Sequence, residues 1–347
     1  MLKLSIVIPV YNAAPFLDTL LSSFLACFLA IEGDPACELI AVNDGSTDGS
    51  AEILTRWSSS GQLPLTILVT PGIGPGPARA LGAQAAQSEW VALVDADERF
   101  SPDWLRAALA FVQNPGQAMG CEGRIEICDR HHLSLFSHQT QSLEPGRYLT
   151  ANLILKRSLV KFYPSYGRRF YFREDSDLAF QLLDSGYEIA HSSELLLYHP
   201  PLVGQWWKPI RLALRYQYDG LLARRFPQRY WREVDAHRLL GVNFPLFRLV
   251  IYFGCLLLQC VALALLLLGW HQPLYRYLAM LTLGASGLIA LAPIFVYLPV
   301  KQVNPWHLPL ALGIYLVVPW VAIAAWLYGF WRYRHEQPYR KAKPMAP

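Results

Sequence analysis

Short, wholly apolar runs alternate with segments of helical apolar spacing over the first third of the chain. The pattern predicts strands over 3–10, 38–42, 65–69 and 90–95, separated by helices over 14–31, 48–58, 77–87 and 102–112. Strands without a polar face have to be covered on both sides, so the rhythm predicts a doubly wound, mostly parallel α/β sheet. Farther along, 119–128 reads as a strand and 129–150 as a polar, His-containing stretch. A short strand near 151–155, a helix over 176–185 closed by Gly186, and a strand near 195–198 follow.

After residue 200 the pattern changes. Residues 201–247 interleave aromatic and basic side chains, among them Trp206, Trp207, Lys208, Arg211, Arg215, Tyr216, Arg224, Arg225, Tyr230 and Trp231. That mixture suits amphipathic helices lying among lipid headgroups. Three charge-free stretches come next, 249–270, 277–298 and 308–331, each meeting the roughly 20-residue length of a membrane-crossing helix. The expected organisation is an α/β domain at 1–200, interfacial helices at 201–247, an all-α transmembrane region at 248–331 and a basic tail at 332–347.

Charge follows the same division. Residues 1–200 hold 14 Lys/Arg against 22 Asp/Glu, whereas 201–347 hold 16 against 4, so the overall +4 joins an acidic head to a basic, apolar tail. The positive charge flanks apolar segments and lines no polar groove, which favours a membrane partner over nucleic acid. The spans hold no ionisable group, which disfavours a transporter or channel. Six cysteines without a CxxC pair read as reduced packing residues. The first apolar run is broken by Pro9 and Asn12 and the next contains Asp18, unlike a secretory signal, so the head is expected in the cytosol of an inner (plasma) membrane protein, with a bacterial source expected. Three spans would then put the tail's five basic residues on the outer side, against the positive-inside bias.

The candidate chemistry sits where apolar strands end. Asp95 and Asp97 are two apart at a strand tip, so both carboxylates project to one side and suit a hard divalent cation, Mg2+ or Mn2+, held with a diphosphate. Asn43-Asp44-Gly45 ends another strand; Asp44 reads as a turn residue and, compatibly with that, as an acceptor for a nucleotide base, with Pro9 and Tyr11 as the neighbouring wall. The Pro71–Pro77 loop leads to Arg79 at the start of a helix, well placed for a phosphate.

These segments, with Ala78-Arg-Ala-Leu-Gly82, Val94-Asp-Ala-Asp-Glu98, Phe172-Arg-Glu-Asp-Ser-Asp-Leu178 and Tyr198-His-Pro200, resemble the GT-A nucleotide-sugar fold of inverting family 2 glycosyltransferases over most of residues 2–200. The resemblance implies that Asp44 contacts the base, Arg79 the base or diphosphate, Asp95 the donor and metal, and Asp97 the metal. It assigns His199 to metal or diphosphate, although a structural histidine fits equally, and makes Asp175, beside Glu174, the general base. Acidic residues also favour a helix's first turn, which is the simpler account of Asp177. Ala80 stands where the family often has Asn. Gln228-Arg-Tyr-Trp231 lacks the spacing of the processive synthases, which implies one sugar per encounter.

The expectation is a membrane-anchored enzyme moving a sugar from a UDP-, GDP- or dTDP-linked donor to a lipid or lipid-linked acceptor, such as a polyprenyl phosphate or a glycolipid. The alternative is an inactive nucleotide-sugar-binding subunit or sensor, against which the joint presence of Asp95, Asp97 and Asp175 speaks.

Overall fold

The computed structural model describes residues 2–33, 36–128, 136–137, 140–164, 166, 172–202, 204–239, 242–244, 246–269, 271–297 and 305–340. Much of the expected polar stretch after 128, the ends of the expected spans at Trp270 and Leu298, and the tail from Lys341 lie outside these residues. The chain divides into two compact units, one of residues 1–128, 139–200 and 340–347, the other of 129–138 and 201–339.

The first unit is built on an eight-stranded sheet. Its strands are β1 (Leu4–Val10), β2 (Cys37–Asn43), β3 (Leu65–Val69), β4 (Trp90–Val94), β5 (Arg99–Phe100), β6 (Ala118–Ile127), β7 (Asn152–Lys156) and β8 (Glu188–His199). They lie in the order β3-β2-β1-β4-β7-β6-β8-β5. The first four are mutually parallel, as the β/α rhythm requires. The other half is mixed: β7 runs antiparallel to β4 and β6, β8 is parallel to β6, and β5 is antiparallel to β8. The sheet is therefore doubly wound on one side and mixed on the other.

Successive strand residues point to opposite faces, and the core divides accordingly. Ile6, Ile8, Leu39, Ala41, Ala92 and Ile154 belong to one apolar cluster, with Leu17, Leu20 and Phe24 of α1 (Ala14–Leu29), Leu54 of α2 (Ser50–Ser60) and Trp104 of α4 (Trp104–Gln113). Val7, Ile40, Val42, Val91, Leu93, Leu153 and Leu155 form the other, with Ala78 and Ala83 of α3 (Pro75–Ala85) and Leu178 and Leu182 of α5 (Glu174–Asp184). Such strands have no solvent face, which is why they read as unbroken apolar runs.

Polar groups fix the helix starts. The Asp48 carboxylate accepts from the Ala14 amide at the head of α1 (3.0 Å) and from the amide (3.0 Å) and hydroxyl (2.5 Å) of Ser50 at the head of α2. One side chain thus satisfies orphan donors of two helices.

The second unit is mainly helical. It contains α6 (Lys208–Ala213), α7 (Gln217–Arg225), α8 (Pro227–Glu233), a hairpin of β9 (His237–Leu239) with β10 (Val242–Phe244), and the long helices α9 (Phe247–Gly269), α10 (Pro273–Tyr297) and α11 (Leu308–Arg332). Among the described residues α9 and α11 are long and apolar enough to cross a membrane. α7 crosses α11 backbone to backbone, since a Cβ added at Gly220 would lie 2.3 Å from the Gly329 carbonyl carbon. Beside this crossing the fully buried Asp219 accepts from the Tyr230 hydroxyl (3.0 Å), which accepts from the Trp326 indole N–H (2.8 Å). In the long helices Gln259 donates to the Ser286 hydroxyl (3.0 Å) and to the Leu316 carbonyl (3.2 Å), three residues before Pro319 interrupts the hydrogen-bond ladder of α11.

Packing of α3 onto β1 leaves no room at Gly82, where a Cβ would lie 2.4 Å from Val7 Cγ1. Gly82→Ala is expected to destabilise the protein by about 1–3 kcal/mol through overpacking, read as a lower denaturation midpoint of the solubilised chain. An unchanged midpoint would show that α3 can lift away from the sheet.

Candidate active site

The tips of β1, β2 and β4, the head of α3 and the head of α5 supply the candidate residues, all in the first unit. Val10, Asn43 and Val94 end adjacent parallel strands, so whatever follows them is delivered to one edge of the sheet.

Arg79 is the centre of this edge. It is 4% exposed on the buried side of α3, and its guanidinium spans two carboxylates, bonding Asp95 just after β4 and Glu174 at the start of α5 (3.0 Å). Arginine keeps its proton even when desolvated, so its burial demands countercharge. Burial pushes the Glu174 carboxyl up to about 7, against the opposing pull of Arg79. The half-buried Asp175 is likewise raised by burial, opposed by Arg79 and by the Thr150 hydroxyl, which donates to its Oδ1 at 2.6 Å. Asp175 thereby has one oxygen held and a proton affinity above that of a free carboxylate. Both properties suit a group that takes up a proton. α5 begins two residues earlier than the sequence pattern predicts, which puts Glu174 and Asp175 in its first turn. Arg173 before them holds φ at +72°, a conformation unfavourable for a non-glycine residue and common beside functional groups.

Asp177 is buried and accepts from the Tyr166 hydroxyl (3.1 Å) and the Gln181 amide (2.6 Å), a structural role. Asp44 is also buried; its oxygens accept from the Thr70 hydroxyl (2.5 Å) and the amides of Ile73 (2.6 Å) and Gly74 (2.7 Å). Of roughly four acceptor positions on a carboxylate, one remains for a ligand donor. Gly45, with φ +74°, approaches the Gly72 backbone so closely that an added Cβ would lie 3.1 Å from its nitrogen. Together Asp44 and Gly45 fasten the Pro71–Pro77 loop. Pro9 is half-buried at the end of β1, and Tyr11 beyond it is 60% exposed, free to meet a planar ligand.

A second group lies just beyond Asp95. His199, at the end of β8, is buried; its Nε2 lies 3.4 Å from Asp97 Oδ2 and its Nδ1 lies 2.6 Å from the Pro200 carbonyl. A carbonyl oxygen only accepts, so Nδ1 carries hydrogen, an arrangement that suits a metal-ligating imidazole at Nε2. One atom each of Asp97, Glu98 and His199 fall within 4.8 Å of one another. The sequence pattern singled out Asp97 and His199 but not Glu98, nor Thr150, whose partner lies 25 positions away. Asp95 and Asp97 follow one strand yet serve different neighbours, Arg79 and His199 respectively.

Residues 5–176 match the sequence pattern described as Glycosyl transferase family 2. These residues form a family 2 glycosyltransferase domain. Proteins similar to this chain include the poly(ribitol-phosphate) beta-N-acetylglucosaminyltransferase TarS of Staphylococcus aureus, 32% identical over 114 residues, which are 32% of this chain and 19% of that protein. The undecaprenyl-phosphate 4-deoxy-4-formamido-L-arabinose transferase of Pectobacterium carotovorum is 30% identical over 166 residues, 48% of this chain and 46% of that one. The chain thus spans between about a fifth and about half of the length of the curated relatives it matches. The glycosyltransferase fold is shared with the mannosyltransferase PcManGT of Pyrobaculum calidifontis, solved with GDP-Man and Mn2+, at a TM-score of 0.52 and 18% identity over 94% of this chain and 87% of that one.

Glu174 binds protons more tightly in the folded family 2 domain than in the unfolded chain, so its contribution to stability is full below its ordinary value of 4.5 and declines as pH rises toward about 7. Glu174→Gln, which keeps an acceptor for Arg79 but cannot ionise, is expected to flatten the pH dependence of the melting temperature across that window. A slope identical to the wild type's would show that Glu174 is ionised throughout.

Proposed function

We propose that the protein is a membrane-attached, inverting glycosyltransferase that moves one sugar from a nucleotide-sugar donor to a lipid or lipid-linked acceptor. The observation that carries this reading is the buried Arg79, which ties Asp95 on the donor side to Glu174, the neighbour of Asp175, in a single charge network. Donor-binding and proton-accepting groups are thereby held in fixed relation before either substrate arrives.

The nucleotide half of the donor is assigned to the strand tips. Tyr11 and Pro9 form the wall for the base, the remaining acceptor position of Asp44 takes a base N–H, and Arg79, its guanidinium bonded to Asp95 and Glu174, serves the donor by holding Asp95 in place. Asp97 and His199, with Asp95 alongside, form the donor set for a divalent cation, which would offset the negative charge gathering on the departing diphosphate. Asp175 stands on the acceptor side. With Oδ1 engaged by Thr150, its other oxygen takes the proton from an acceptor hydroxyl as the hydroxyl oxygen attacks the anomeric carbon and the bond to the diphosphate on the opposite face breaks, which inverts the configuration. A lipid phosphate is already ionised at neutral pH, and for such an acceptor Asp175 would orient instead of deprotonating.

The acceptor class follows from the apolar helices. Covalent attachment to α9 and α11 would confine the catalytic domain to a bilayer surface, where acceptors with lipid tails are concentrated. The similar undecaprenyl-phosphate transferase has a lipid phosphate in its name, which supports this assignment. The cytosolic face of a bacterial inner membrane is where such donors and acceptors meet.

Detergent-solubilised protein, supplied with UDP-, GDP- and dTDP-sugars, Mn2+ or Mg2+ and a lipid extract, is expected to release one nucleoside diphosphate in a lipid-stimulated reaction. Donor binding without turnover under every condition would leave a binding subunit instead. With a hydroxyl acceptor, Asp175→Asn should lower kcat by about 100-fold or more. Thr150→Val should lower kcat less and leave the KM for the donor unchanged, with Thr150→Ser restoring it; full activity in Asp175→Asn would remove the base assignment.

A further inference from the structure

Glu98 is 1% exposed, and neither of its carboxylate oxygens has a hydrogen-bond partner among the described residues. Buried polar groups are almost always paired, because stripping a carboxylate of water without compensation costs several kcal/mol, so an orphaned pair of oxygens calls for an explanation. A donor is missing on the protein side, while the carboxylate lies within 4.8 Å of ligand atoms from Asp97 and His199. The Pro200 carbonyl holds a hydrogen on Nδ1 of the imidazole of that group, so Nε2 is the nitrogen turned toward Asp97 Oδ2. Asp95, the residue two before Asp97 that a D-x-D spacing suggests as its partner, is instead bonded to the buried Arg79.

We infer that Glu98 is the third protein ligand of the divalent cation, completing a cage with Asp97 and His199, while Asp95 serves Arg79 and the donor. The inference rests on reading this edge of the sheet as the cation site of a transferase, and it reassigns which acidic residue holds the ion. Two carboxylates and one imidazole make a set of two oxygens and one nitrogen, better matched to Mn2+ than to Mg2+, which takes oxygen ligands and keeps its waters. A buried carboxylate that is unpaired without the ion gains its partner when the ion arrives. Ion binding should therefore stabilise the fold directly.

The test is Mn2+ binding to the solubilised full chain, followed by the electron paramagnetic resonance of free Mn2+, with the ion alone and with UDP or GDP added. Glu98→Gln is expected to weaken Mn2+ binding by about tenfold or more and to reduce the Mn2+-induced rise in melting temperature accordingly. Without metal the same variant should melt at or above the wild-type temperature, since a neutral amide replaces the unpaired carboxyl. Asp95→Asn should change Mn2+ affinity much less. If Glu98→Gln does not fold, Glu98→Asp carries the test, with a carboxylate one methylene short expected to bind Mn2+ distinctly more weakly. Wild-type affinity in the Glu98 variants alongside loss in Asp97→Asn would overturn the role of Glu98 and keep the cation site. No Mn2+ binding by the wild type, with or without nucleotide, would overturn the cation site itself and this inference with it.

Discussion

A positive charge that cannot be discharged, sealed under a sheet edge, constrains everything around it in this protein. Arg79 lies on the face of α3 that packs against β1 and β2, and its neutralisation needs one carboxylate from the end of β4 and one from the start of α5. Those partners are 16 and 95 positions away in sequence. Desolvating Arg79 and Glu174 is tolerable only when they meet at hydrogen-bonding distance, with the partly exposed Asp95 adding countercharge, so the cost of separating them holds the strand tip and the helix head in register. The proton affinities of Glu174 and Asp175 depend on the same charge.

What could be read from the sequence follows from how local each cause is. The parallel half of the sheet was legible because strands buried on two faces leave an unbroken apolar signature, as in Leu4–Val10 and Trp90–Val94. β8 was legible only at its apolar end near Leu195; its first half, Glu188–Glu194, is polar and partly exposed and is held by pairing with β6. The mixed order of the second half could not be read, because antiparallel pairing of β7 with β4 arises from contacts between distant segments. Arg79, Asp95 and Glu174 stood out by their places at strand and helix ends, and the structure brings them together. The part played by Thr150 depends on a contact across 25 positions, and that of Glu98 on burial, which one sequence does not display. Asp44 read as a turn residue and, compatibly, as a ligand acceptor; its hydrogen bonds fasten the loop after β3 and take up about three of its four acceptor positions.

The helical unit answers a different demand. Where α11 gives up a backbone hydrogen bond at Pro319, the side chain of Gln259 from α9 reaches a carbonyl one turn away and also engages Ser286 of α10. In apolar surroundings a polar atom has few alternatives, so one glutamine ties three helices together. The same economy places Tyr230 between Asp219 and Trp326, linking α7, α8 and α11.

Helices that pack through side chains can slide past one another by small shear movements as rotamers readjust. At Gly220 and Gly329 no side chain intervenes, and main chain meets main chain. α7 and α11 therefore share their displacements. A tilt or axial shift of the long apolar helix is passed on to the short amphipathic one through the main chain, which makes the pair a stiff joint between an apolar element and a charged, aromatic one.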